Sequence, residues 1–171
     1  MASPHNGEII MALGTTQTLQ DSRYRVIQKI TGNNANSRVV LLNVSSLLGW
    51  QQAFLGKVTI CKVFWTFDSA PAGGVELIWH GTAAGGGDDV VAFIAGGTGG
   101  TYGYSPGQPS IPNNAPNTTT GASATVGDIV ITSAAWKGTM VIEYHKVANA
   151  QGFGWSATGD TLGPPQSNMG G

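Results

Sequence analysis

The chain has 171 residues, enough for one domain whose core forms without metal or disulfide help. Only 10% of its residues are charged and the formal net charge is −1, so nucleic acid is not expected as a partner, because phosphate binding normally leaves a basic footprint. Apolar residues reach 41% and glycine fills 26 positions, a composition that suits a protein whose surfaces are paired in an assembly rather than solvated.

Residues 1–20 read as an N-terminal arm. Their opening, MASPHNGEIIMALG, has no basic region and only a short apolar patch, so it does not read as a signal peptide and use without secretion is expected. Nothing approaches a run of about 18 apolar residues, so no membrane partner is expected. From Tyr24 to Ile30 the chain alternates, with Tyr24, Val26 and Ile30 on one face, until Gly32-Asn33-Asn34 breaks the run. Arg38 to Val44 is a continuous apolar run of the kind buried on both sides, and the two segments are expected to form a hairpin. Ser45 to Leu55 is the one helical candidate, but Gly49 limits it to a turn or two.

The longest strand expected is Lys57 to Phe67, with Val58, Ile60 and Phe64 on one face and Cys61, Val63, Trp65 and Phe67 on the other. Cys61, the only cysteine, has no disulfide partner and reads as a small buried hydrophobe. Val75, Leu77 and Trp79 then alternate against Glu76, Ile78 and His80, in a strand expected to pair with the previous one. After a short strand from Val90 to Ala95, a loop dominates: residues 90–127 carry no charged side chain and no histidine, and are rich in Gly, Pro, Asn, Thr and Ser. A structureless loop that long is uncommon in a compact domain unless it is functional, so it either packs on a neighbour, stays a surface loop, or hides a pair of short strands. Within it Tyr102 and Tyr104, near four prolines, are candidate contact groups that could stack on a sugar or fill a crevice in a protein, or cover their own domain. Asp128 to Thr132 and Thr139 to Val147 are the last strands, with Met140, Ile142 and Tyr144 dry and Val141, Glu143 and His145 wetter.

Seven or eight strands without a convincing helix specify an all-β, antiparallel sandwich or barrel over residues 21–148. Residues 149–171 hold six Gly, two Pro and one charge, and read as a C-terminal arm. Ordering 23 such residues would require roughly 1,000 Å² or more of buried apolar surface. Phe153 and Trp155 are its natural anchors, on another subunit or another protein.

Catalytic chemistry is sparse. His5, His80 and His145 are far apart and lack metal-ligand spacing, and Asp88-Asp89 offers too few oxygens for calcium and reads as a solvated turn. The Gly96–Gly100 run lacks the lysine of a phosphate-binding loop, no G-x-S-x-G elbow occurs, and Cys61 has no adjacent base in sequence. No enzyme, metal or cofactor is expected.

Four phrases, TQTLQDSRYRVIQKITG, ICKVFWTF with GVELIWHGTA, SIPNNA, and GDIVIT with TMVIEYHKV, occur in order over about residues 15–147. Their succession resembles small virion structural proteins of tailed bacteriophages. The resemblance implies a jelly-roll-like sandwich and a non-enzymatic head decoration or cement protein. Such a protein would bind the major capsid protein as a homo-oligomer, expected to be a trimer, on the capsid surface of a virion assembled in the host cytoplasm. A neck, tail or head-fibre component is the alternative of the same class, and a carbohydrate-binding module using Tyr102, Tyr104 and Trp155 is the alternative of another. The chain departs from the group at Gly96–Gly107, Asn117–Thr125 and after Ala148.

Overall fold

A computed structural model describes residues 14–50, 57–81, 89–114 and 128–147. Nine strands follow one another: β1 (Thr15–Asp21), β2 (Arg25–Gly32), β3 (Asn36–Leu42), β4 (Lys57–Phe67), β5 (Val75–Trp79), β6 (Val90–Ala95), β7 (Gly99–Tyr102), β8 (Ile129–Ser133) and β9 (Gly138–Val147). They form two antiparallel sheets: sheet A in the order β1-β2-β9-β4-β7 and sheet B in the order β3-β8-β5-β6. The all-β sandwich expected from the periodicity is what the chain forms. The only helical element among the described residues is a 3-10 turn at Val44–Ser46, capped by the Asn43 side chain accepting from the Ser45 amide.

Strand pairing departs from the sequence expectation in a consistent way. Pairing is expected between β2 and β3 and between β4 and β5, yet the members of each pair lie in different sheets, as do the consecutive strands β8 and β9. Neighbours in the sheets are instead β2 with β9, β3 with β8, β4 with β7 and β5 with β6, a nested series in which outer strands enclose inner ones. A Gly- or Asn-rich turn can bring the chain back beside itself or carry it over to the facing sheet. Turn composition alone does not distinguish the two outcomes.

The core lies between the sheets. Val26 and Ile30 of β2, Val58, Ile60 and Val63 of β4, and Met140, Ile142 and Tyr144 of β9 face Leu77 and Trp79 of β5 and Ile129 and Ile131 of β8, all fully buried. Gln28 is buried among them and spans the layers, its Nε2 donating to the Leu41 carbonyl at 3.3 Å. One side of the sandwich is closed by aromatic rings: Phe93 of β6 meets Trp65 of β4 at 5.6 Å and Tyr102 of β7 at 5.5 Å between centroids. Gly100 permits this closure, since a Cβ there would sit 2.3 Å from the Trp65 ring. The Gly96–Gly100 run therefore makes the β6–β7 turn and opens β7, fitted around a tryptophan whose Nε1 donates to the Gly96 carbonyl at 2.9 Å.

At one end, β1 is anchored by a buried ion pair. The Lys146 ammonium, 1% exposed, donates to Asp21 Oδ1 and to the Leu48 carbonyl, both at 2.6 Å, while Asp21 Oδ2 accepts from the Leu48 amide at 2.7 Å. The segment Thr15–Asp21 is thus the edge strand of sheet A and not part of the N-terminal arm expected over residues 1–20. Tyr24, expected on the inner face of the second strand, precedes β2 and is 53% exposed. The C-terminal arm, with its anchors Phe153 and Trp155, lies outside the described residues.

Candidate functional site

The outward face of sheet A brings together charged, aromatic and thiol side chains, and a single irregularity sets their placement. The register of β4 on β9 slips between Ile60 and Lys62, leaving Cys61 as a bulge residue. The bulge exchanges the two faces of the strand: Val58 and Ile60 point inward before it, Val63 and Phe67 after it, and Phe64 is turned out to 40% exposure. Regular alternation would have placed Phe64 with Ile60 in the core, which is what the sequence suggests. Cys61, expected to be a buried hydrophobe, is only half-buried.

Cross-strand register then sets the face out in rows. Ile27, Glu143 and Lys62 form one, and Lys29, Val141, Phe64 and Thr101 the next. Glu143 is the hub of the first row, with its Oε1 3.2 Å from His145 Nε2 and 3.9 Å from Arg25, and its Oε2 3.6 Å from Lys62. Arg25 is held from its other side by Gln20, whose Oε1 accepts from Nε at 3.0 Å. Because Lys62 and Arg25 are both more than 40% exposed, these pairs contribute only tenths of a kcal/mol to about 1 kcal/mol each. They orient charge more than they stabilise the fold.

Tyr104 borders this face on a tight projection. After β7 the chain leaves the sheet for residues 103–110 and returns at Ile111, which exchanges backbone hydrogen bonds with Ile60 at 2.8 and 3.0 Å. Gln108 organises the projection by accepting from the Gly103 amide at 2.7 Å and the Ser105 amide at 3.4 Å. Gly103 has φ +78°, and a Cβ there would lie 1.9 Å from the Cys61 carbonyl oxygen, so the projection requires glycine against the bulge. The long uncharged segment therefore contains a further strand and an ordered turn over its described part.

The two tyrosines separate in role. Tyr102 packs on Phe93 and its hydroxyl donates to the Pro109 carbonyl at 2.7 Å, which makes it a brace for the projection. Tyr104 is 56% exposed, with Lys62 Nζ 5.5 Å from its ring centroid.

Cys61 lies among Glu143, His145 and Lys62, a set of residue types that nucleophilic enzymes use. Burial pushes its thiol pKa up, against the hydrogen bonds from Thr59 and the His145 backbone. Its sulfur is 3.6 Å from the Thr59 hydroxyl, and the His145 ring is turned to Glu143 instead. A thiol raised in pKa and bonded to threonine is a poor nucleophile.

The outward face of sheet B has a different character. Val40, Val130, Ile78 and Val91 form a row across all four strands, 50%, 1%, 7% and 50% exposed in that order. Beyond them lies a polar group whose members are far apart in sequence. Arg38 Nε donates to Asp89 Oδ2 at 2.7 Å, its Nη2 is 3.4 Å from His80 Nε2, and Asp89 Oδ1 accepts from the Gly81 amide at 3.0 Å. Arg38 belongs to β3, whereas His80 follows β5 and Asp89 precedes β6, so its side chain crosses the outward side of β8 to reach them. Its backbone, at φ 47°, takes a left-handed conformation that a non-glycine residue adopts at some cost. Asp89, expected in a solvated turn, is drawn into this strap together with His80. Partial burial would raise the Asp89 carboxyl, but the hydrogen bond and charge of Arg38 hold it below its ordinary value.

Asp128, adjoining this group, is 1% exposed. Burial pushes its pKa up to about 6, although the Val44 amide donates to Oδ1 at 2.7 Å and His80 is nearby. Among the described residues no set of three or more His, Cys, Asp or Glu side chains is placed to hold a metal ion, and no helix is long and apolar enough to cross a membrane. No protein-family model, curated protein or solved structure matches this chain.

Proposed function

We propose that this chain is a non-enzymatic structural protein of a tailed-bacteriophage virion, a head decoration or cement protein that binds the major capsid protein and stabilises its lattice. The carrying observation is that a sandwich with few charges turns large apolar side chains outward on both faces: Phe64 and Tyr104 beside sheet A, Val40, Val91 and Ile94 on sheet B, each 40% exposed or more. Large apolar groups left exposed on the outward faces of a charge-poor domain suit a surface that is covered by a partner. The ordered resemblance of its strand phrases to phage virion proteins supports the same reading. So does the nesting of β2 with β9, β3 with β8, β4 with β7 and β5 with β6, which is the pattern of a jelly roll, a fold that builds many viral shells.

Many copies binding a repetitive lattice gain affinity through multivalency, so individual contacts need not be strong. A trimer on three-fold positions of the shell fits this role. The glycan-binding alternative now rests on Tyr104 and on Trp155, which lies outside the described residues, because the Tyr102 ring and hydroxyl are both committed within the domain. Adding purified protein to shells depleted of it tests the proposal. Saturable binding at hundreds of copies per particle, with a rise in the temperature at which shells rupture, is the expected result. A few copies per particle would move the protein to the neck, tail or a fibre, and no binding would reject the virion role.

A further inference from the structure

The net charge of −1 conceals a division between the two faces. On the outward side of sheet A, Arg25, Lys29 and Lys62 stand against Glu143, the only carboxylate on that face among the described residues, leaving two net positive charges from these groups. Lys29 is exposed and has no ion pair among the described residues. It sits in the row with Val141 and Phe64, so charge and exposed apolar surface are interleaved. On the outward side of sheet B the surplus is absent, with Glu76 and Asp89 set against Arg38.

We infer that the outward face of sheet A is the side that docks on the particle, and that its partner is an acidic, partly apolar protein surface. The inference rests on the virion reading above and assigns that reading a direction. The charge surplus calls for an acidic counterpart, which would also steer association. Phe64 and Tyr104 supply aromatic contact area of the sort enriched at the centres of protein interfaces. Nucleic acid fits less well, because the Glu143 carboxylate stands in the middle of the basic groups and a phenyl ring lies in the next row. A second copy fits less well too, because the opposite face of this chain already commits Asp89 to Arg38.

The test is cosedimentation with depleted shells at low and high salt, comparing wild type, the double variant Lys29→Glu/Lys62→Glu, and Glu76→Lys as the matched change on the opposite face. Wild type and Glu76→Lys are expected to bind alike, with affinity falling as salt rises, whereas the double variant loses roughly tenfold or more at low salt and much of its salt dependence. Equal binding by the double variant, or loss confined to Glu76→Lys, overturns the assigned direction while leaving the virion role in place. Failure of the wild type itself to bind overturns both. If the double variant changes sedimentation of the free protein, or abolishes a gel shift with duplex DNA, while shell binding is retained, the face serves a second copy or nucleic acid and the inference is wrong. Should the double variant lose its near-ultraviolet circular dichroism, Lys29→Ala carries the same comparison, with roughly threefold weaker binding expected and unchanged binding refuting it.

Discussion

The outward faces of the two sheets are made from similar material, β-branched residues with a few charges, yet they are organised oppositely. On sheet A the charges are exposed and grouped loosely around Glu143, and the apolar residues between them are at most half-buried or, like Phe64, open to solvent. On sheet B the central pair Val130 and Ile78 is buried, and the charged groups are tied into a strap from β3 to the far strands. The first arrangement leaves binding groups available at little cost to the fold, and the second spends its groups on holding four strands together.

The sharpest way to break this contrast is to place the same charge on both faces. Val130→Asp buries a carboxylate beside Ile78 and is expected to destabilise by about 4 kcal/mol or more, whereas Val141→Asp, among lysines on sheet A, should cost under about 1 kcal/mol. Urea denaturation of the two variants measures the difference, and equal losses would erase the distinction.

A pH series probes the polar end of sheet B. Asp128 has a folded-state pKa of about 6 against 3.8 when unfolded, so the folded state binds its proton more tightly in that interval. Its contribution to stability is therefore greatest at low pH and declines as pH rises from about 4 through 6, by at most about 3 kcal/mol. Asp128→Asn should flatten the curve between pH 4 and 7, seen as melting temperatures that no longer fall with rising pH.

Next in size is the comparison of hubs. Asp89→Asn removes the charge that Arg38 reaches across the sheet to meet and should cost about 1 to 3 kcal/mol, while Glu143→Gln should cost no more than about 1 kcal/mol. Thermal denaturation near pH 7 distinguishes them, and a larger loss at Glu143 would make sheet A the structural face. Smallest of all, Phe64→Ser should shift stability by about 0.5 kcal/mol or less, as expected for an exposed side chain, and yet weaken shell binding.

How much of this was legible in the sequence depended on local regularity. The inner faces of β5 and β9 followed directly from Val75, Leu77 and Trp79 and from Met140, Ile142 and Tyr144, because nothing interrupts their alternation. β4 did not, because Cys61 looks like another apolar member of the strand and carries no sign that it is the extra residue. The orientation of Phe64, and with it half of the candidate face, depended on that bulge. The grouping of Arg25, Lys62, Glu143 and His145 was hidden for another reason: they come from three strands whose adjacency is set by pairing across most of the chain. The strap was hidden likewise, since the left-handed backbone at Arg38 has no glycine or asparagine to announce it. The role of the Gly96–Gly100 run became clear only with Trp65 lying against Gly100.

Lysine acetylation mapped residue by residue, on free protein and on protein bound to depleted shells, reads the orientation of the sandwich directly. Lys29 and Lys62 should lose reactivity on binding while Lys137, 77% exposed in the β8–β9 connection, keeps it. Undiminished labelling of Lys29 and Lys62 on fully decorated shells would contradict the account.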